Sequence, residues 1–478
     1  DSVASRGLGD VYKRQNIYKG DFMSKKFYSL LATIMLSLAV LVGCGNQDAN
    51  TGTNENTAET AQTENAEEAT ENKENTEEKD VAKEENTEKE ADSSTDEAAE
   101  ITFWHAMGGG QGEALEKLVA EFEKENPNIK VNLQNQGNYG DLNQILVATM
   151  QSPNDLPTIT QAYPDWMLQF EDANLVTELT DMVNGENGIE DYEDILEGVR
   201  QEIEKDGKIM GLPFNKSTEV FWYNKTLFDE LGLEVPTNYE ELVEVSKKIN
   251  EEKGIPGVGF DSLSNFYATY LHNKGVEMDE NLDVTSDESV EAVQYYLDGI
   301  KEGYFRIAGT DQYMSGPFAN EQVGAYIGSN AGEVYVKDGV DGKFEYAAAP
   351  YPAESAVQQG TNIYMFDNAD DAQKKAAFKF LKFLTSKESQ IQFALDTGYM
   401  PARTSAIEDS TYSESDSAIA PILADATKNL YSRPLAPGSQ QAYNDIGSVL
   451  EQILSNTEAD VKAELEAFAP QYKADFAQ

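Results

Sequence analysis

The chain has 478 residues, more than a single hydrophobic core usually spans, so two lobes plus non-globular segments are expected from size alone. Its 86 acidic against 36 basic residues give a formal charge of −50, which repels nucleic acid phosphates and anionic lipid, so no polyanion partner is expected. One Cys and two His exclude disulfide frameworks and Cys/His zinc clusters, and no D-x-D-x-D-G loop offers calcium a site.

Residues 1–22 match no export or fold pattern and read as a non-native leader, in which Asp1 to Gln15 looks like translated adapter sequence. Met23-Ser-Lys-Lys-Phe opens a basic region, and Leu30 to Val42 is an apolar run shorter than the ~20 residues that span a bilayer. Residues 23–43 therefore read as an export signal. The run ends in Leu41-Val42-Gly43-Cys44, which resembles a lipobox, and this implies a lipid on Cys44 that anchors the protein to the outer face of the cell membrane. From Cys44 to residue 99 the chain is Glu, Thr, Asn and Ala with almost no large apolar side chains. Such a stretch cannot offset its ordering entropy and is expected to be a disordered acidic spacer.

From Ile101 short β-rich runs alternate with amphipathic helices, the pattern of α/β layers. Ile101 to His105 is a strand and Met107 to Gly112 a glycine-rich turn that opens a helix. Leu115, Leu118, Val119 and Phe122 share one face of that helix, which stops at Asn126-Pro127. Lys130 to Leu133 and Thr158 to Tyr163 are the next strands, with a helix through Leu142 to Met150 between them, in successive βα units of a mainly parallel sheet. Ligands of open α/β sheets sit at strand carboxyl ends, so Trp104, Tyr139 and Tyr163 are placed to face one crevice. Further on, Ala377, Phe380, Leu381 and Leu384 form another helical stripe. Helices around Ile446 to Leu454 and Val461 to Phe468 close the chain.

Phe103-Trp-His-Ala-Met107, Gly137-Asn-Tyr139, Pro213-Phe-Asn-Lys-Ser-Thr218, Tyr223-Asn-Lys225 and Thr397-Gly-Tyr-Met-Pro401 occur in one order and spacing. Through them the chain from about 101 to 470 resembles the extracellular solute-binding proteins of carbohydrate ABC importers, most nearly the glycerol-3-phosphate-binding branch. The resemblance implies an α/β fold of the periplasmic-binding-protein-like type II, with two discontinuous lobes joined by hinge strands. Lobe 1 is expected at 101–216 plus 351–403 and lobe 2 at 217–350 plus 404–478, with crossings near Ser217 to Tyr223, near Ala349 to Gly360, and after Arg403. It also implies a monomer that passes a sugar, polyol or glycerol-phosphate-type solute to a permease, without cofactor, metal or catalysis.

By the same resemblance Tyr139, Ser217 and Tyr399 match ligand contacts, and Gly360, Thr361 and Ser329 correspond to backbone or hydroxyl contacts opposite. Trp104 and Phe266 are candidates to stack on a sugar face, whereas Trp222, inside a strand, is better read as core. His105 is better read as structural. Two departures stand out. The glutamate expected directly after Tyr163 is replaced by Pro164, with Asp165 one residue late, and Pro434 to Tyr443 offers Ser439, Gln440 and Gln441 where the branch has an arginine. Lys216 is the nearest substitute cation, and the amides favour a neutral solute over a phosphate. The competing readings are a surface-anchored carbohydrate hydrolase and a sensor or adhesin on the same fold. Against the hydrolase, the chain has no G-x-S-x-G, no H-E-x-x-H and no P-loop, and its two histidines are far apart.

Overall fold

The computed structural model describes residues 98–477. The leader, the export signal, Cys44 and the spacer up to residue 97 lie outside the described residues. The spacer was expected to end at 99, but Ala99 already belongs to the first strand.

Strand β1 (Ala99–His105) lies between β2 (Ile129–Asn135) and β3 (Ile159–Ala162), parallel to both. Helix Gly109–Glu125 opens on Gly108 and buries Ala114, Leu115, Leu118, Val119 and Phe122 against this sheet, as the i, i+3, i+4, i+7 spacing requires. Helix Tyr139–Thr149 starts at a capping box in which the Asn138 side chain accepts from Asp141 N and Asp141 reaches back to Asn138 N. A short hairpin of β4 (Glu204–Lys205) and β5 (Lys208–Ile209) turns through Asp206 and Gly207. Both have positive φ, as a two-residue hairpin turn requires.

Two long strands then carry the chain across the molecule. Strand β6 (Leu212–Asn224) pairs antiparallel with β11 (Ala356–Met365) up to Thr218. From Glu219 onward it pairs with β9 (Ala325–Ser329), and Val220 to Asn224 also pair with β10 (Tyr346–Pro350). Strands β7 (Val258–Phe260) and β8 (Phe305–Ile307) extend the sheet beyond β9, and β12 (Leu430–Tyr431) adds to β11. The sheet is parallel at its two ends and antiparallel through the crossing strands, because β6 and β11 run in opposite directions between the lobes.

The hydrophobic cores divide along β6. Phe214 packs with Ile101, Phe103, Phe122, Ile363 and Phe380 in one lobe, and Phe221 with Leu242, Phe260, Tyr296, Ile446 and Tyr472 in the other. Val220 and Trp222, on the opposite face of the strand, join a third cluster with Tyr326, Val336 and Leu423, as the period-2 alternation of a strand demands. Trp222 is fully buried against Tyr326 and donates from Nε1 to the Ser329 carbonyl at 3.3 Å, a core role. The closing helices run Ser439–Leu454 and Val461–Asp475. The second continues through Pro470, past its expected end.

Candidate functional site

Asn215, on β6 just before the crossing, organises one wall of a crevice. Its Nδ2 donates to the Tyr139 hydroxyl at 3.0 Å, while its Oδ1 accepts from Gln161 Nε2 at 2.9 Å and from the Thr361 hydroxyl. Gln161 Oε1 in turn accepts from Ala106 N at 2.8 Å, so the strand ends fix the phenol of Tyr139 through one amide chain. The Tyr139 ring meets Tyr163 edge-on at 5.3 Å, and Tyr163 meets Trp166 at 5.1 Å. Burial, reinforced by the neighbouring Tyr399 and Tyr163 phenols, holds the Tyr139 hydroxyl far above its ordinary pKa. It is therefore a neutral group that can donate or accept.

Tyr399 reaches the same place from the Thr397-Gly398 turn, with its ring parallel to Phe393 at 6.0 Å. Met400 N donates to the Lys216 carbonyl at 2.8 Å, pinning this turn to β6. Asn330 ties the same parts together from the other lobe. Its Nδ2 donates to the Gly398 carbonyl at 2.8 Å and its Oδ1 accepts from Thr218 N at 2.7 Å. Ser217 lies between these anchors on β6, opposite Gln359 of β11.

Lys216 points to the other face. Its fully buried ammonium donates to Glu202 Oε2 at 2.5 Å, the Gly360 carbonyl at 3.2 Å and Asn362 Oδ1 at 3.2 Å. All three of its hydrogens are used, so Lys216 does not serve as the substitute phosphate cation considered from the sequence. Gly360 has φ +99°, and a Cβ there would lie 2.1 Å from the Asn215 carbonyl, at an irregularity in the β11–β6 pairing. Its glycine identity is set by the close approach of two hinge strands. Thr361 is fully buried with its hydroxyl spent on Asn215, and the half-buried Ser329 accepts from Ala331 N at 3.2 Å to open a short turn.

The facing wall comes from the segment after β12. A crevice of about 40 Å³, room for little more than one water, lies between Tyr163, Asp165, Glu202 and Gly360 on one side and Arg433, Pro434 and Ser439 on the other. A wider groove of about 820 Å³ in lobe 1, lined by Phe122, Phe378, Lys382 and Phe383, holds none of the candidate ligand-binding residues. Burial raises the Asp165 carboxyl to about 6, with Arg433 opposing the rise. The Arg433 guanidinium lies 3.9 Å above the centre of the Tyr443 ring.

The structure thus brings Tyr139, Tyr163, Asp165, Ser217, Gly360 and Tyr399 to the crossing. Trp104 ends half-buried nearby, donating from Nε1 to Gln134 Oε1 at 2.8 Å. Phe266 is a correction: it is wholly buried among Phe260, Tyr295 and Tyr296 and forms lobe core, not a sugar platform. Gln441 is a second correction. It is exposed and bonds Asp445 along its own helix at 2.8 Å, whereas Ser439 lines the crevice. The segment is also not without a cation, since Arg433 stands one residue before the stretch considered. His105 is 5 % exposed, accepts from Met107 N at 3.2 Å and is lowered by burial to about 4, so it is a neutral structural imidazole.

Glu219 and Asn330 are further residues the sequence reading passed over. Glu219 Oε1 accepts from Asn265 Nδ2 at 2.9 Å, and Asn265 Oδ1 accepts from the Tyr443 hydroxyl at 2.5 Å. The available signal was a carboxylate between the polar run Asn215-Lys-Ser-Thr218 and the apolar run Val220-Phe-Trp222 of one strand. Among the described residues, no helix is long and apolar enough to cross a membrane and no group of three or more His, Cys, Asp or Glu is gathered to hold a metal.

Two α/β lobes on a shared sheet, with polar and aromatic groups of both meeting where long strands cross, define a two-lobed solute-binding protein. The bacterial extracellular solute-binding protein family matches residues 117–421, and the chain belongs to that family. It is a binding protein of an extracytoplasmic system and not an enzyme. The chain is 25 % identical over 337 residues to the sn-glycerol-3-phosphate-binding periplasmic protein UgpB of Agrobacterium fabrum, which covers 65 % of this chain and 76 % of that one. It is 26 % identical to the protein of the same name from Rhizobium meliloti over 65 % and 77 %. Its fold matches UgpB of Mycobacterium tuberculosis, solved with glycerophosphocholine, with a TM-score of 0.69 at 22 % identity over 79 % of this chain and 98 % of that one. The sugar-binding protein MalE of Xanthomonas citri gives a TM-score of 0.70 at 19 % identity over the same shares.

Proposed function

We propose that this protein captures a sugar, polyol or glycerol-phosphate-type solute between its lobes and delivers it to the membrane permease of an ABC importer. It acts as a monomer held to the outer face of the cell membrane by a lipid on Cys44. The observation that carries this reading is the meeting of Tyr139 and Tyr399 with Ser217, Asp165 and Arg433 at the point where β6 changes partners. We read the lobes as 101–216 plus 351–403 and 217–350 plus 404–478; the separation of the Phe214 core from the Phe221 core supports the first boundary, while Tyr351 and Ala356 pack in the second core and Ile391 and Met400 join Trp222 in a third. A solute touching both walls favours the closed form by the difference in its contacts between open and closed states, which is what drives closure in a hinged protein.

Small-angle scattering with a panel of sugars, polyols and glycerophosphates tests this. One class is expected to contract the protein and to raise its melting temperature, by about 2.7 kcal/mol of stabilisation at 100-fold excess over Kd. Neither contraction nor a thermal shift with any member would end the capture reading, and turnover of the solute that binds would favour the hydrolase.

A further inference from the structure

An asparagine side chain closes most readily on the backbone when glycine follows it, because glycine has no Cβ to hold its nitrogen away. The chain has two such pairs, Asn184-Gly185 and Asn187-Gly188, and neither lines the crevice. Both asparagines are exposed, and neither side chain is hydrogen-bonded among the described residues. Composition and exposure do not separate the two pairs, but the backbone does.

The pair at 187 is held. The Gly188 N–H, whose nitrogen is the nucleophile there, donates to the Gly185 carbonyl at 2.9 Å. Gly188 is buried, and a Cβ on it would lie 2.0 Å from the Val183 carbonyl oxygen. Ile189 N donates to that same oxygen at 3.0 Å, and the Asn187 carbonyl accepts from Lys382 Nζ at 3.3 Å. The Gly188 nitrogen cannot turn toward the Asn187 side chain without breaking these bonds. The pair at 184 is not held. Asn184 ends the five-residue helix Thr180–Asn184, too short to be stable on its own ladder. Gly185 leaves that helix at φ −75° and ψ 175°, is exposed, and its N–H has no acceptor among the described residues.

We infer that Asn184 is a site of spontaneous deamidation and that the fold protects Asn187, although both precede a glycine. The Gly185 nitrogen, losing its proton to solvent base, bonds to the Asn184 side-chain carbonyl carbon. The Cγ–Nδ2 bond breaks and ammonia leaves with a proton from water. The cyclic succinimide then takes up one water at either carbonyl and opens to aspartate or isoaspartate. Either product adds a carboxylate between Asp181 and Glu186. Isoaspartate also lengthens the backbone ahead of Gly185, whose carbonyl holds the Gly188 amide and which lines the wide groove of lobe 1. The inference stands apart from solute capture.

Incubating the full-length protein in mildly alkaline buffer and digesting samples with a protease that cuts after glutamate tests it, because Glu178, Glu186 and Glu190 put the two asparagines on separate peptides. In the folded protein the peptide holding Asn184 is expected to gain the mass of deamidation and to split into aspartyl and isoaspartyl forms. It should do so about tenfold or more faster than the peptide holding Asn187, which must first break a buried hydrogen bond. In urea the two are expected to react at similar rates, which assigns the difference to the fold. Asn184→Gln, whose side chain would close a ring one atom larger, is expected to leave only the slow reaction at Asn187. Comparable rates at the two sites in the folded protein, a faster reaction at Asn187, or an Asn184 that stays intact while the urea-unfolded chain reacts would each overturn the inference.

Discussion

Glu219 sits at the first position of β6 beyond the switch of partners, 2 % exposed, with Oε1 bonded to Asn265 and Oε2 without a partner. Burial raises its carboxyl to about 8, and burial likewise raises Asp261 to about 7 and Asp165 to about 6. All three values exceed the ~4 of an unfolded carboxyl, so the folded protein holds protons that the unfolded chain releases. The stability these groups contribute is complete below about pH 4 and is lost as pH rises through each folded value, with Glu219 last. Glu219→Gln keeps an acceptor for Asn265 and removes the titration. Its stability relative to wild type is expected to rise between pH 5 and 8, ending a few kcal/mol higher, on the order of magnitude such shifts imply. Urea denaturation across that range measures it, and parallel pH profiles for the two proteins would refute the role of Glu219.

Among the elements, the β6–β11 pair carries the most consequence, because it joins the lobes and also fixes Asn215 under Tyr139. Gly360 makes that pairing possible. Alanine there would carry a Cβ at φ +99° and 2.1 Å from the Asn215 carbonyl, so the strands must part. Gly360→Ala is expected to cost about 3 kcal/mol or more in denaturant unfolding and to weaken solute binding with it. A variant of wild-type stability would mean that β11 shifts freely. Much of the element level was legible in the residue order. The stripes Leu115–Phe122 and Ala377–Leu384 declare their helices, because a face that must be buried repeats with the helical turn. Side-chain destinations were less legible. Phe266 and Trp104 are both aromatics near strand ends, and only packing made the first core and left the second half-exposed. On helix Ser439–Leu454, Ser439 and Gln441 differ by two positions and so point some 200° apart, one into the crevice and one outward.

For the whole molecule, the proposed anchor and the binding lobes are expected to be separable, since residues 45–97 carry almost no large apolar side chains. Cys44→Ser is expected to move the protein from the membrane fraction to the medium with solute affinity unchanged, checked by fractionation and titration; retention on the membrane would refute the lipid at that residue. The order of residues determined the charge, the alternation of strands and helices and the motifs that mark the family. These are local properties, set by composition and periodicity over a few turns. The tertiary structure alone decided that Asn215 holds Tyr139 across 76 residues, that Lys216 is spent on Gly360 across 144, and that Arg433 reaches the crevice with its donors unused. The first two pairings depend on the register in which distant strands meet, and a shift of one residue would turn Asn215 and Lys216 to the other face of the sheet, whereas Arg433 is placed by the segment after β12.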